Sequence, residues 1–466
     1  MVFSSLHFLY IFMPVFFFLY YLTPHSFKNL ILLLGSIAFY AVGAIEHPEQ
    51  LLLLFIAITV DFYAAIGIEK FKKKKKLFLI GAIGYHLFWL FIYKYMGFVE
   101  GEFNDLIGIF TKNVQFDFFQ SLILPAGISF YTFQGLSYVL DVYREKYPAE
   151  KVYLRLAVYI SMFPQLIAGP IVTYPDVKNH MKKRHVNLKM VLNGLGIFIF
   201  GLGMKVLLAN TIGNLWSEVA GLGYESISTP LTWLAIVAFA FQIYFDFYGY
   251  SIMAIGLGKM MGFKFPKNFD HPYISVTMTE FWRRWHMTLG SWFREYVYIP
   301  LGGNRGGEKA TYRNLLIVWM LTGVWHGAGY NFLLWGLFLI ALIVLEKKFY
   351  GKFMDKYRFI GHIYMFVVIC VSWVLFAITD MSQMATFFGK MFPVFTSASG
   401  IAATDYLKNY SIVLIAGVLF STKLPYRLLH KIRNHKVVLV FLAAILGFST
   451  YWLWLGMNNP FLYFRF

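Results

Sequence analysis

Long apolar stretches recur along the whole chain and restrict most strongly how it can fold. A helix that crosses a bilayer needs about 20 mostly apolar residues. About ten stretches approach or exceed that length: 6–22, 28–45, 49–68, 77–95, 121–140, 188–210, 230–258, 360–379, 404–421 and 437–457. Only 14% of the residues are charged, against about 25% in soluble domains. The sequence excludes a water-soluble globular enzyme and predicts an all-α polytopic membrane protein.

The distribution of charge predicts the orientation of these helices. The chain carries 41 Lys and Arg against 23 Asp and Glu, a net charge of +18. If the lysine block Lys72 to Lys76 is cytoplasmic, alternation of the spans places most of the bases on that side. Cytoplasmic loops are rich in Lys and Arg. We therefore expect both termini on the extracytoplasmic side and no nucleic-acid partner.

Two apolar stretches, 152–175 and 314–346, interrupt the alternation because basic clusters flank both ends of each. A segment that enters and leaves on one side is re-entrant or a pair of half-helices, and its polar backbone needs protein or a water-filled cavity around it. The sequence thus predicts a central cavity, reached from the cytoplasm, with His326 near its apex. The alternative for the second stretch is two tight ordinary spans, 314–326 and 329–346.

The stretch 281–296 has the periodicity of an amphipathic helix at the membrane interface. Its predicted apolar face consists of Phe281, Trp285, Leu289, Trp292 and Tyr296, with Arg283 and Arg294 opposite. His286 falls at the border of the polar face. A plain interfacial anchor would have the same pattern. A basic face beside a cytoplasmic cavity would also suit an anionic acyl donor such as a coenzyme A thioester; the candidate donor-binding residues are Arg283, Arg284, Arg294 and Arg305.

Ionisable residues within spans are costly and are candidates for function. Asp61 and Asp246 are predicted to be mainly structural, and Lys205 either pairs with one of them or extends to the interface. His326, between Trp325 and Gly327, could act as a general base near neutral pH, although a lone histidine is more often a satisfied core residue. Neither a metal site nor a disulfide is expected, because His326 has no ligand at helical spacing and Cys370 is the single cysteine.

The last residues form an aromatic tail, FLYFRF (461–466), after the break NNP (458–460). A free apolar tail is unfavourable in water. We expect residues 457–466 to fold back into the protein from the extracytoplasmic side. An interfacial aromatic anchor is the simpler alternative.

Several motifs together resemble the AlgI-like branch of the membrane-bound O-acyltransferase (MBOAT) family, which includes alginate and peptidoglycan O-acetyltransferases. They are MVFSS at the start, LPAGISFYTFQGLSYVLDVYR (124–144), FPQLIAGPI (163–171), FWRRWHMTLGSWFREYVYIPLGGNR (281–305), LTGVWHGAGYNFLLWG (321–336) and FLYFRF. The resemblance runs nearly end to end, which implies one integral-membrane domain over 1–466 with the MBOAT fold.

The resemblance also implies an activity and its residues. Acetyl-CoA donates the acyl group from the cytoplasm, with no permanently bound cofactor. His326 matches the catalytic histidine and His286 the second signature histidine, whereas Tyr463 matches the tail tyrosine that carries the acyl group. The family typically passes this group to an extracytoplasmic partner of the SGNH-hydrolase type at the bacterial inner membrane.

The final acceptor is expected to be an envelope polysaccharide, with peptidoglycan favoured. The alternatives are alginate or another exopolysaccharide, and D-alanyl transfer to teichoic acid. A transporter or flippase is the alternative from another functional class, because broken helices are also typical of transporters.

Overall fold

The computed structural model describes residues 1–111, 115–167, 169–394, 398–432, 436–456, 459 and 462. Across these residues the regular structure is helical, apart from an isolated parallel bridge between Ile227 and Ile401. The prediction of an all-α protein is confirmed.

The chain forms two compact units. One contains Met1–Leu195 and Ala254–Pro266, and the other contains Gly196–Met253 and Lys267–Phe466. The helices wholly within the first unit are α1 (Met13–Leu22), α2 (Lys28–Gly43), α3 (Glu49–Lys70), α4 (Lys75–Lys94), α5 (Met96–Gly108), α6 (Ile128–Tyr143), α7 (Tyr153–Ser161), α8 (Phe163–Leu166) and α9 (Tyr174–Lys182).

Two helices, α10 (Leu188–Gly203) and α12 (Thr229–Met260), have residues in both units. The helices wholly within the second unit are α11 (Thr211–Gly221), α13 (Met278–Arg284), α14 (Met287–Phe293), α15 (Gly307–His326), α16 (Tyr330–Leu345), α17 (Gly351–Lys356), α18 (Arg358–Ala377), α19 (Met381–Met391), α20 (Thr404–Ser421), α21 (Leu424–Ile432) and α22 (Lys436–Trp454).

Seven helical stretches of the described chain are long and apolar enough to cross a membrane, judged by length and composition. They are His25–Gly43, Glu49–Lys70, Lys72–Lys94, Leu188–Gly221, Thr229–Met260, Arg358–Ala377 and Lys436–Trp454. This confirms a polytopic membrane protein, with fewer such helices than the expected ten.

The three remaining predicted spans contain helices that do not meet this standard. Residues 8–22 form a shorter apolar helix. Helix α6 has only 16 residues, most of them buried, so its apolar character is explained by packing within the first unit. The first turns of α20 carry Asp405 and Lys408, which lower its mean hydropathy.

In the first unit, the stretch 152–175 is broken as predicted, into α7, the single turn α8 and the start of α9. Nearby, His86 on α4 and Asp61 on α3 form a buried pair, with 2.9 Å between Nε2 and Oδ1. Gly135 of α6 packs against this pair so closely that a Cβ there would overlap the Asp61 carboxylate. Asp61 is therefore paired structurally with His86, a histidine within a predicted span that the sequence analysis did not consider.

In the second unit, the stretch 314–346 forms a hairpin of two paired helices, α15 and α16. Helix α15 is 20 residues long because it begins at Gly307, well before the apolar stretch. Gly323 and Gly336 lie at the crossing. A Cβ on Gly323 would approach the Phe332 carbonyl oxygen to 2.5 Å, and one on Gly336 the Trp319 carbonyl oxygen to 2.7 Å. Small residues thus let the helices pack closely and bring His326 to the turn of the hairpin.

A second close crossing joins α10 to α12. A Cβ on Gly201 would lie 2.7 Å from the Gly249 carbonyl oxygen, and one on Gly249 would lie 2.8 Å from the Gly201 carbonyl oxygen. Immediately after this crossing the first helix widens into a π-helix, Met204–Asn210. Such π-helical insertions are frequent at functional sites, and this one carries Lys205.

Candidate functional site

A narrow cavity in the second unit brings both signature histidines together. The side chains around it are mostly aromatic: Ile243, Asp246, Phe247, Trp282, Trp285, His286, His326, Trp335, Trp373, Phe376 and Leu462. The space open to the centre of a water molecule is about 20 Å³, which holds little more than one water molecule. The site is therefore tight and apolar, with three ionisable side chains in its wall.

His326 is held at the end of α15 by aromatic neighbours. The centroid of its ring lies 5.0 Å from that of Trp335 and 5.1 Å from that of Phe376, both in edge-on geometry. At the following residue, Gly327, a Cβ would overlap the Phe332 ring. The side chain is buried, so packing fixes the position of the imidazole within the cavity.

His286 occupies a break that the sequence pattern did not predict. The expectation of one helix over 281–296 is wrong: α13 ends at Arg284 and α14 begins at Met287. His286 has φ 42° and ψ 52°, in the left-handed region, which interrupts a right-handed helix. Its side chain is buried rather than at the border of a polar face. The helical break turns this imidazole into the cavity.

The hydrogen bonds of Asn268 set the form of the His286 ring. The Asn268 side-chain oxygen accepts from Thr288 Oγ1 at 2.9 Å, and its nitrogen donates to Ser251 Oγ at 3.0 Å. The same oxygen lies 3.1 Å from His286 Nδ1. Because an amide oxygen can only accept, His286 Nδ1 donates and the lone pair resides on Nε2.

Burial lowers the pKa of His286 to about 3. A positive charge here would lose its hydration within aromatic walls, so the imidazole is neutral at physiological pH. Its low basicity makes His286 a weak proton acceptor, since a general base works best with a pKa near the working pH. A neutral His286 is better suited to orienting a reactant through a hydrogen bond.

The four candidate donor-binding arginines do not line this cavity. Arg283, Arg294 and Arg305 are exposed. Arg284 forms ion pairs with Glu280, at 2.9 Å, and Asp270, at 3.2 Å. The apolar face of the predicted helix is nevertheless confirmed at four of its five positions, because Phe281, Trp285, Leu289 and Trp292 are buried.

A buried polar network connects Asp246 to the end of the chain. Lys205 Nζ lies 2.6 Å from Asp246 Oδ1 and donates to Asn210 Oδ1 at 2.8 Å. Asp246 Oδ2 accepts the backbone N–H of Leu462 at 2.8 Å, and Asn210 Nδ2 donates to Asn459 Oδ1 at 3.0 Å. The predicted pairing of Lys205 with an acidic residue is thus confirmed, and two residues of the tail are held by this network, Leu462 by Asp246 and Asn459 by Asn210.

Tyr463 lies outside the described residues, as does most of the predicted tail 457–466. Its chain neighbour Leu462 is described, is buried and lines the cavity that contains His286 and His326. For Asn459 and Leu462, the expectation that the tail folds back into the protein is confirmed by their contacts with Asn210 and Asp246.

Asn268, Trp335, Trp373 and Phe376 belong to this site but were not singled out from the sequence. Asn268 lies 18 residues before His286 in the chain, and no helical or strand periodicity connects such positions. The aromatic residues looked like ordinary apolar residues of spans. The spacing of His326 and Trp335 around a glycine-rich turn was the one available signal, because a helical hairpin brings such positions together.

Comparisons with known proteins agree with the motifs. Residues 152–386 match the family model of MBOAT, membrane-bound O-acyltransferase family. The chain is 38% identical over 400 residues to the probable alginate O-acetylase AlgI of Pseudomonas syringae pv. tomato, covering 84% of this chain and 75% of that protein.

Two further relatives act on other acceptors, according to their names. A peptidoglycan O-acetyltransferase of Helicobacter pylori is 33% identical over 418 residues, covering 81% of this chain and 77% of that protein. A teichoic acid D-alanyltransferase of Bacillus subtilis is 29% identical over 254 residues, covering 52% of this chain and 63% of that protein. The similarity to this last relative therefore involves about half of the chain.

Proposed function

Because the chain belongs to the membrane-bound O-acyltransferase family and is an acyltransferase, we propose that it relays an acetyl group across the bacterial inner membrane. The donor is cytoplasmic acetyl-CoA and the covalent carrier is Tyr463. An extracytoplasmic partner of the SGNH-hydrolase type then receives the group and O-acetylates an envelope polysaccharide.

One observation carries this proposal. Leu462, which immediately precedes Tyr463, lines the same cavity as His286 and His326, and Asp246 holds its backbone. Tyr463 is the next residue in the chain, and we propose that it reaches these histidines during the transfer, since consecutive Cα atoms are only 3.8 Å apart. A transporter or flippase gives no reason for Leu462 to be anchored beside two buried histidines.

The chemistry divides the transfer into two steps. His326 takes the proton from the Tyr463 hydroxyl while the phenol oxygen bonds to the thioester carbonyl carbon. The carbon–sulfur bond then breaks, and the leaving thiolate takes up the proton from His326. A phenol has a pKa of about 10, so the resulting ester has a better leaving group than an alkyl ester. It can therefore pass the acetyl group to a hydroxyl of the partner.

The neutral His286 complements His326 in this scheme. Its Nδ1–H is engaged by Asn268, so Nε2 carries a lone pair that can accept a hydrogen bond from the acyl donor. His326 then acts as the general base toward the single hydrogen of the Tyr463 hydroxyl, and the weakly basic His286 helps to hold the acyl donor in position.

The proposal is tested in a strain that lacks the gene. Wild-type protein should restore alkali-labile acetate on the envelope polysaccharide, whereas His326→Ala and Tyr463→Phe should not, at equal amounts in the membrane. Tyr451→Phe, at an exposed tyrosine of α22, is the matched control and should restore it. Restoration by Tyr463→Phe would contradict the relay.

The same strains identify the acceptor. In the strains that carry His326→Ala or Tyr463→Phe, we expect acetate to be missing from purified peptidoglycan. Loss only from a secreted uronic-acid polymer would instead assign the alginate-type acceptor, and loss of D-alanine from teichoic acid would assign the D-alanyl branch. Each outcome is read from a separate purified polymer.

A further inference from the structure

Whereas the histidine cavity is narrow and mostly apolar, a second cavity in the same unit is wide and lined by charged side chains. It is open to solvent, with a volume of about 500 Å³, in the range of small-molecule sites. Its lining combines four charged and two ring-bearing side chains: Asp270, His271, Lys423, Tyr426, Arg427 and Lys431.

The charge around this cavity is positive. Asp270 is already matched by two cations, since its carboxylate lies 2.7 Å from Lys267 Nζ and 3.2 Å from an Arg284 nitrogen. Burial lowers the pKa of His271 to about 4, as do the nearby cations, so this ring adds no charge at neutral pH. Lys423, Arg427 and Lys431 therefore give the cavity an excess of positive charge.

Backbone pairing connects this cavity to His286. The Asp270 N–H donates to the Arg284 carbonyl at 2.9 Å, and the Met287 N–H donates to the Asn268 carbonyl at 2.9 Å. His271, at the cavity, and His286, at the candidate active site, both have positive φ, at 50° and 42°. Such strained residues cluster at functional sites, and here two of them flank one hydrogen-bonded segment.

A row of aromatic rings follows the same route. From the basic cavity the rings are His271, Tyr426, Tyr248, Phe269, Phe247 and His286, with successive centroids 4.5, 6.3, 5.9, 5.1 and 4.7 Å apart. Such spacing is that of rings in contact. The row is a continuous series of packed, largely uncharged rings between the two cavities, and Phe247, Phe269 and His286 are buried within it.

We propose that the basic cavity binds the phosphate groups of the acyl donor, and that the uncharged arm bearing the thioester is directed past these rings toward the histidines. This inference rests on the proposed function. Lys423, Arg427 and Lys431 provide the charge-assisted contacts that phosphate requires. They take the place of Arg283, Arg294 and Arg305, which are exposed and do not line either of these cavities.

The test compares two triple variants of the purified full-length enzyme in neutral phosphatidylcholine nanodiscs. Lys423→Gln/Arg427→Gln/Lys431→Gln should raise KM for acetyl-CoA about tenfold or more, because contacts to charged groups are individually strong, and should leave kcat nearly unchanged. Lys309→Gln/Lys352→Gln/Lys356→Gln removes equal charge at exposed positions outside both cavities and should leave KM unchanged. An unchanged KM in the first variant overturns the proposal.

Two further experiments distinguish the phosphate groups of the acyl donor from those of a lipid headgroup. Adenosine 3′,5′-bisphosphate should compete with acetyl-CoA in the wild type, whereas pantetheine, which lacks phosphate, should compete far more weakly. If the first triple variant differs from the wild type only in anionic phosphatidylglycerol nanodiscs, the cavity binds a lipid headgroup and the proposal is wrong.

Direct binding of radiolabelled coenzyme A separates this inference from the proposed function. Loss of coenzyme A binding in the first triple variant supports the phosphate site, whether or not acetyl transfer is observed. If coenzyme A binds in this way but no acetyl is transferred, the proposed function is wrong and the binding site is retained. Equal binding by the wild type and both variants contradicts the site, whatever the activity.

Discussion

At the scale of single residues, the two histidines of the cavity are in different environments. His286 donates Nδ1–H to Asn268 and keeps a neutral ring. His326 is fixed by the rings of Trp335 and Phe376 at the end of a helix. Their separate surroundings support separate roles, in which His286 helps to hold the acyl donor and His326 takes the proton of the reacting hydroxyl.

The neutral state of His286 predicts a measurable pH dependence of stability. Its pKa in the folded protein, about 3, lies below its ordinary value of 6.5. Between these pH values the unfolded chain takes up a proton that the folded chain does not, so the free energy of unfolding falls as the pH falls. The loss from this residue at pH 5 is about 2 kcal/mol.

The variant His286→Asn should remove this contribution, because asparagine tolerates positive φ but does not titrate. We expect its Tm to change less than that of the wild type between pH 7 and pH 5, with acetyl transfer strongly reduced. His7→Asn, at an exposed histidine, should keep the wild-type dependence. A wild-type pH dependence in His286→Asn would contradict a neutral, buried imidazole.

The pair Lys205–Asp246 predicts strongly non-additive variants. Removing one member of a buried ion pair leaves an uncompensated charge, which costs about 3–5 kcal/mol, whereas removing both charges costs much less. Lys205→Met and Asp246→Asn should each lower Tm substantially, and the double variant should be more stable than the sum of the single effects. Additive effects in the double-mutant cycle would show that the two residues do not form this pair.

At the scale of helices, the hairpin of α15 and α16 positions His326 through contacts between glycines. Gly323→Ala introduces a Cβ only 2.5 Å from the Phe332 carbonyl oxygen. Overpacking of this kind costs about 1–3 kcal/mol. The helices must separate to accommodate it, and we expect acetyl transfer to fall about tenfold or more, with a lower Tm.

Gly447→Ala on α22 is the matched control, since no atom lies within 4 Å of a Cβ at that position. Alanine is a better helix former than glycine, so its Tm should stay equal or rise and its activity should be unchanged. If Gly323→Ala behaves like this control, close packing of the hairpin does not position His326.

Periodicity predicted the burial of Phe281, Trp285, Leu289 and Trp292 in the segment 281–296, because burial of a helical face depends on local spacing. It did not predict the break at His286. The left-handed conformation of that residue accompanies a hydrogen bond to Asn268, 18 residues away in the sequence, whose side-chain oxygen also accepts from Thr288. The sequence likewise left open whether Asp61 or Asp246 pairs with Lys205, because the glycine crossing that selects Asp246 is a tertiary feature.

The prediction for His326 came from the family motif and from the glycine-rich sequence around it. Its glycine-rich surroundings predicted the turn, and the structure places it there, between two helices that bury it against aromatic rings. The number of spans was less predictable, because apolar stretches such as α6 can be buried by packing within the protein instead of by lipid.

At the scale of the whole molecule, the charge distribution predicts which loops face the cytoplasm. Cys370 is almost fully buried, so single cysteines can be introduced into Cys370→Ser with little background. Ser121→Cys and Ser382→Cys, at exposed positions, should react with a membrane-impermeant maleimide in intact cells. Lys309→Cys, also exposed, should react only after the cells are broken. The reverse pattern would contradict the predicted orientation.

A relay across the membrane requires a covalent intermediate on the tail, and its detection is the most direct test. Purified protein is incubated with isotope-labelled acetyl-CoA without an acceptor, quenched in acid and analysed by peptide mass spectrometry. We predict that the label is on Tyr463 in the wild type and absent from His326→Ala. Label on another residue, or an equal amount of label in Tyr463→Phe, would contradict the relay.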